Sequence, residues 1–125
     1  MIEYKVRVYK DRIKWYLNDK LHRENGPAIE DSDGYKEWYL NDKLHRINGP
    51  AIEWPNGDKC WFLNGKLHRI NGPAIENSYG YKYWYLNGKQ VTEEEVMNKS
   101  NKTYTTKELK KMTLEEIFNI VGKKS

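Results

Sequence analysis

The sequence predicts a mainly β protein, an elongated single-sheet antiparallel meander of hairpin repeats closed by a short helical cap at the C-terminal end. Three observations predict it. Trp15, Trp38, Trp61 and Trp84 recur every 23 residues. The stretch after each tryptophan reads as aromatic and apolar strand chemistry around a two-residue turn. After Lys89 that pattern stops, and helix-start signals take over.

The repeat is explicit. Full units cover residues 15–37, 38–60 and 61–83 and read WYLNDKLHRENGPAIEDSDGYKE, WYLNDKLHRINGPAIEWPNGDKC and WFLNGKLHRINGPAIENSYGYKY, followed by a partial unit, 84–90. Fixed-period self-similarity of this kind marks a stack of equivalent supersecondary units. The register also runs backwards, with Val6, Arg7, Asp11 and Lys14 opposite Ile29, Glu30, Gly34 and Glu37, so residues 1–14 read as a degenerate half unit of the kind that caps repeat arrays. Residues 1–90 therefore form the repeat domain and 91–125 the helical cap.

Within a unit, Asn18-Asp19, Asn41-Asp42, Asn64-Gly65 and Asn87-Gly88 suit the positive φ angles of a type I′ hairpin turn. Asn25-Gly26-Pro27 and its copies interrupt the returning strand, because proline has no N–H to give to a ladder. A second turn at Asp33-Gly34, Asn56-Gly57 and Tyr79-Gly80 leads to the next tryptophan. An even number of strands per unit lets identical residues meet identical surroundings. Two per unit, the second bulged, amounts to a twisted meander of about eight strands.

Beyond the repeats, Thr92, Thr105 and Thr113 each precede a glutamate by three residues (Glu95, Glu108, Glu116), the spacing of a capping box. Leu114, Ile117, Phe118 and Val121 form an apolar helical stripe. That face is expected to cover the sheet's open end, which would otherwise present an unpaired edge.

At 125 residues the chain is one domain of ordinary size, with 14% aromatic but only 38% hydrophobic residues, a balance that suits a thin sheet carrying amphipathic rings. Its 22 basic and 18 acidic residues are interleaved, with no segregated basic arm. Met1 is followed closely by Glu3, Lys5 and Arg7 rather than by an apolar leader, and Cys60 is the single cysteine, so a soluble protein of the reducing cytoplasm is expected.

Hairpin register pairs Trp15 with His22, Trp38 with His45 and Trp61 with His68 on one face, and Tyr16 with Leu21 on the other. Two interpretations follow. In one, the pairs hold the sheet together, each imidazole bonding a turn carbonyl. In the other, the ladder lines a groove in which the rings and the row of Arg23, Arg46 and Arg69 grip an anionic ligand such as nucleic acid, a nucleotide or a lipid headgroup.

Equivalent histidines about 9 to 10 Å apart cannot converge on one zinc ion, whose ligand atoms lie about 2 Å from the metal. Cys60 falls in a slot filled elsewhere by Glu37 and Tyr83, and the four serines, Ser32, Ser78, Ser100 and Ser125, lack a nucleophile motif. No catalytic, cofactor-binding or metal-binding residue is expected, and no enzyme.

Where the units differ is more telling. Their turns read Asp31-Ser32-Asp33, Trp54-Pro55-Asn56 and Asn77-Ser78-Tyr79, and one strand position reads Glu24, Ile47 and Ile70. A uniform scaffold with a varied rim is how repeat proteins distribute recognition. Trp54, Tyr79, Tyr35, Tyr81, Ile47 and Ile70 are accordingly the candidate partner-binding residues, the aromatics among them being of the type enriched in binding hot spots.

The Trp-x-x-Asn-Gly-Lys-Leu-His-Arg core resembles the MORN repeat, a 23-residue β-hairpin unit, and is most similar to variant LHRxNGPA units of bacterial and phage proteins. The resemblance covers about residues 5 to 90. This chain departs from the common unit where Arg23 and Asn25-Gly26-Pro27 follow the histidine in place of a direct glycine. The resemblance implies a scaffold for protein or lipid contact and carries over no catalytic residue. The expected function is non-enzymatic binding of a protein partner. Small size and richness in Lys, Asn, Ile and Tyr fit a phage-encoded inhibitor of a host defence protein, and a bare sheet face suits self-pairing into a homodimer.

Overall fold

The structure is a computed structural model that describes residues 2–100 and 104–121, with the α3 side chains described as far as Ile117. In chain order its strands are β1 (Lys5–Val8), β2 (Arg12–Leu17), β3 (Lys20–Leu21), β4 (Ile29–Asp31), β5 (Lys36–Glu37), β6 (Tyr39–Leu40), β7 (Lys43–Leu44), β8 (Ile52–Glu53), β9 (Lys59–Cys60), β10 (Phe62–Leu63), β11 (Lys66–Leu67), β12 (Ile75–Glu76), β13 (Lys82–Leu86) and β14 (Lys89–Val91). The helices are α1 (Glu93–Ser100), α2 (Thr106–Leu109) and α3 (Leu114–Val121).

The expected antiparallel meander is present. Its main sheet has ten strands along the path β1-β2-β4-β5-β8-β9-β12-β13-β14, with β3 beside β2. The outgoing strand breaks at Trp38 and at Trp61, while β2 and β13 run unbroken through Trp15 and Trp84, and the returning strand of each full unit breaks at the His-Arg-x-Asn-Gly-Pro segment. The hairpins β6-β7 and β10-β11 therefore form separate ladders beside the main one. Backbone bonds lace these hairpins together: the Asp42, Gly65 and Gly88 N–H groups donate to the Leu21, Leu44 and Leu67 carbonyls at 2.8 to 2.9 Å.

Hairpin register is as the spacing predicts, with Tyr16 opposite Leu21 and Leu17 opposite Lys20. The turn residues take left-handed φ, from 50° to 52° at the four asparagines and 63° to 82° at the residues that follow. The second turns are three-residue loops with Gly34, Gly57 and Gly80 at φ of 91° to 102°. Asp33, Asn56 and Asn77 side chains brace them by accepting the N–H two residues on.

The half unit departs from the predicted alignment. Val6 pairs with Trp15 and Val8 with Ile13, whereas in the first full unit Ile29 pairs with Glu37. The cause is the turn: Tyr9 N–H reaches Arg12 O at 2.7 Å across a loop one residue shorter than in the repeats. A one-residue slip exchanges the two faces of a strand. It is tolerated in β1 because that edge strand is exposed along its whole length.

Two rows of side chains cross the main sheet. One runs Glu30, Lys36, Glu53, Lys59, Glu76, Lys82, each directly opposite the next with charge alternating at every step. Opposite charges paired across strands stabilise the pairing, and like charges would destabilise it. The other row runs Lys14, Ile29, Glu37, Ile52, Cys60, Ile75, Tyr83. Its isoleucines are constant, and Glu37, Cys60 and Tyr83 are the variable slots between them. Burial raises the pKa of the Cys60 thiol, the opposite of what an activated thiolate requires.

The buried apolar residues among those described are few: Ala28, Ile29, Ala51, Ala74 and Val96. The alanines occupy one repeated backbone position. Trp15 N–H donates to Ala28 O and Ala28 N–H to Glu37 O, which sets Ala28 between Trp15 and Trp38; Ala51 and Ala74 repeat the arrangement. Each alanine is fully buried.

At all three predicted helix starts the Thr92, Thr105 and Thr113 hydroxyls accept the Glu95, Glu108 and Glu116 N–H groups at 3.1 to 3.2 Å, and at Thr113 the box is reciprocal, Glu116 Oε2 accepting the Thr113 N–H at 3.4 Å. Helix α1 packs on β13 and buries Val96. Helix α3 lies back over the repeats, with Glu115 reaching His45 and Asn64. Of its predicted apolar face, Leu114 is exposed and Ile117 half-buried, while the Phe118 and Val121 side chains lie outside the described ones. Among the described residues no helix is long and apolar enough to cross a membrane.

At Gly57 nothing lies within 4 Å of an added Cβ, so only the left-handed backbone resists substitution. Gly57→Ala is expected to cost about 1 kcal/mol, read as a lowered urea midpoint with unchanged slope.

Candidate functional site

The repeated face is organised around arginine. In each full unit the guanidinium lies flat over its own tryptophan: Arg23 over Trp15 at 3.9 Å, Arg46 over Trp38 at 3.9 Å, Arg69 over Trp61 at 3.8 Å. Its other side rests against the glycine of Asn-Gly-Pro. A Cβ added to Gly26, Gly49 or Gly72 would stand only 2.6 to 2.9 Å from the guanidinium carbon. The glycine is needed for this close approach, and the proline carbonyl that follows it accepts the arginine Nη1 hydrogen at 3.0 to 3.3 Å.

Ion pairs complete two of the three. Arg46 meets Glu53 at 3.2 Å and Arg69 meets Glu76 at 3.1 Å. Burial pulls the Arg69 pKa below the usual arginine value, against the opposing pull of Glu76. Each guanidinium of the row thus has an aromatic ring on one side, a glycine on the other and a carbonyl at its edge, and Arg46 and Arg69 have a carboxylate besides.

The histidines join successive units. His22 Nδ1 accepts the Asn41 N–H at 3.0 Å, His45 Nδ1 the Asn64 N–H at 2.9 Å, and His68 Nδ1 the Asn87 N–H at 2.9 Å. The bond to a turn was expected with a carbonyl; it runs to an amide N–H, and to the following unit's turn. This bond fixes the neutral tautomer with its proton on Nε2. At His45 that Nε2 faces Glu115 Oε1 at 3.2 Å, and Glu115 Oε2 accepts from Asn64 Nδ2 at 3.2 Å. A carboxylate from the tail is clamped between one unit's histidine and the next unit's asparagine.

Two surfaces remain open to a partner, and the candidate residues divide between them. Ile47 lines a groove of about 560 Å³ on the tryptophan face, floored by Trp38, Leu40 and His45 and walled by the loops 23–26 and 46–48. Ile70 lines the corresponding stretch one unit on, where Tyr104, Met112 and Thr113 of the tail form the opposite wall. The aromatic candidates belong instead to the glycine turns. Tyr79 is 87% exposed, Tyr81 63% and Trp54 36%, while Tyr35 is half-buried with its ring 5.7 Å from Trp54.

Leu40, Asn64 and Glu115 were not among the sequence candidates. The two former are copied in every unit and look like scaffold, and Glu115 enters the site only because the tail folds back. Among the described residues no cluster of three or more His, Cys, Asp or Glu side chains is placed to hold a metal ion.

These features define a class, the antiparallel β-repeat protein with one main sheet, whose units are braced internally by arginine and joined to one another by histidine side chains. No protein-family model matches the chain, and no curated protein or solved structure is similar to it.

Gly49→Ala must push Arg46 off Trp38 or shift the loop, and is expected to cost about 2 kcal/mol, measured by chemical denaturation. A pH effect follows from His45, whose pKa is lowered by burial, with Glu115 opposing. The unfolded chain takes up this proton more readily than the folded one. The stability contribution is therefore complete above the ordinary histidine pKa of about 6.5 and declines as pH falls below it. Thermal melts from neutral pH downwards check this, and His45→Gln should flatten the profile.

Proposed function

We propose that the chain is a non-enzymatic repeat scaffold that binds a protein partner through its varied turns and one face of its sheet. One observation carries this reading. The copied polar side chains are engaged with one another, whereas the large aromatics of the variable turns project outward, Tyr79 and Tyr81 at 87% and 63% exposure. Large rings held on rigid turns contribute contact area at low entropic cost, and such residues dominate binding hot spots. The turns are themselves linked, Asp58 Oδ1 accepting the Ser78 N–H at 2.7 Å, so that neighbouring units present their rings together.

The finer reading is a phage-encoded inhibitor of a host defence protein, built on MORN-like units and working in the host cytoplasm. Its support is the small size, the composition and the LHRxNGPA signature. Inhibition by occlusion asks for no chemistry, only for a stable surface of sufficient area. An anion-binding role along Arg23, Arg46 and Arg69 draws less support from the geometry, since those guanidinium groups already have partners within the fold.

The test is capture of a partner from host lysate followed by affinity measurement with purified components. Tyr79→Ala and Trp54→Ala are each expected to weaken binding by about 10-fold or more while leaving the melting temperature within a degree or two. Unchanged affinity in both variants would move the interface away from the turns. Steep loss of binding to nucleic acid or anionic vesicles with added salt would favour the arginine row instead.

A further inference from the structure

The tail's seat on the repeated face continues past the tail. Helix α3 places one carboxylate, Glu115, in the clamp formed by His45 Nε2 and Asn64 Nδ2. The same two side-chain types occur one unit earlier as His22 and Asn41, and His22 binds the Asn41 amide just as His45 binds that of Asn64. The groove between the first two units is open, with Leu40 and Ile47 supplying apolar lining.

Two polar groups in the first unit lack what their copies have. The His22 side chain is only 8% exposed, yet its Nε2 makes no hydrogen bond; Glu24 Oε1 stands 3.5 Å away. Glu24 is itself 46% exposed and replaces the isoleucine of the other full units, so it can swing aside. Arg23 stacks on Trp15 as its copies stack on theirs, but among the described residues it has no carboxylate within ion-pair distance, where Arg46 has Glu53 and Arg69 has Glu76. A buried donor with only the displaceable Glu24 near it, and a neighbouring cation with no carboxylate, adjoin a groove lined by Arg23, Glu24, Leu40 and Ile47.

We infer that this open stretch binds an acidic amphipathic helix of a protein partner, which lays its apolar side on Leu40 and Ile47 and delivers a carboxylate to His22 and Arg23. The occupant's chemistry is read from the chain itself, because α3 already occupies the neighbouring stretch with a glutamate in the equivalent clamp. Charge-assisted bonds to a buried donor are among the stronger polar contacts, and satisfying His22 removes a standing desolvation cost. This surface is distinct from the turn aromatics, so it stands even if those prove inert.

The test uses the full chain, isotope-labelled for NMR, and a synthetic peptide with the sequence of residues 104–121 as the probe helix. Saturable shifts at His22, Arg23, Leu40 and Ile47 are expected, with affinity falling about tenfold when the peptide carries glutamine at the position of Glu115. Glu24→Ile, which removes the competing carboxylate, should tighten binding several-fold. Ile47→Glu should abolish it while leaving the turn resonances in place, which separates a blocked groove from an unfolded chain. Three results would overturn the inference: no saturation at about 1 mM peptide, equal affinity of the glutamine peptide, or shifts confined to Asn64 and Glu115 or to Tyr79 and Tyr81.

Discussion

A guanidinium lodged between a tryptophan ring and a glycine is the contact on which the rest of this structure depends. A thin sheet has little interior, and the described residues bury few apolar side chains outright. Cohesion has to come from contacts made along the face. The arginine supplies one per unit, stacking at 3.8 to 3.9 Å on the tryptophan and tying down the proline carbonyl of the loop that folds over it. That loop is the break in the returning strand. It helps set the β6-β7 and β10-β11 hairpins apart from the main ladder, and in the first two units its copies form the walls of the groove.

The histidine performs the complementary task between units. Its Nδ1 takes the next turn's amide and leaves Nε2 as a directed donor on the face. One side chain therefore both joins the array and equips each junction with a polar contact point. Tail and sheet meet at such a point, and the tail's own glutamate shows what the point accepts. Below it, the alternating Glu and Lys row keeps the strands of the main ladder in register with opposite charges at every crossing.

The two candidate surfaces obey different constraints. The glycine turns lie outside the network of copied contacts, so their side chains vary without disturbing it, and they carry exposed rings. The groove is made of that network, so its floor is copied and only Glu24, Ile47 and Ile70 vary along it. A surface built from copied structural parts can still be selective where a single unit differs, as the first does at Glu24.

Much of this was legible in the sequence, because it is local. The 23-residue period, the Asn-Gly and Asn-Asp turns, the hairpin register, the strand break at Asn-Gly-Pro and the three capping boxes all follow from residues within a few positions of one another, where backbone geometry leaves few choices. The half unit's register was not legible, since a turn one residue shorter leaves no mark on an alignment by residue type. Nor was the fate of Arg23, Arg46 and Arg69. Whether an arginine beside a tryptophan faces a ligand or folds back on the ring depends on whether a glycine two or three positions away in space clears room for it, and only packing decides that. The tail's seat likewise joins residues far apart in the chain, Glu115 with His45 and Asn64, through a contact that no periodicity encodes. Local repetition determined what each unit is; the long-range packing of charge and ring decided which of its side chains are engaged inside the fold and which stay exposed.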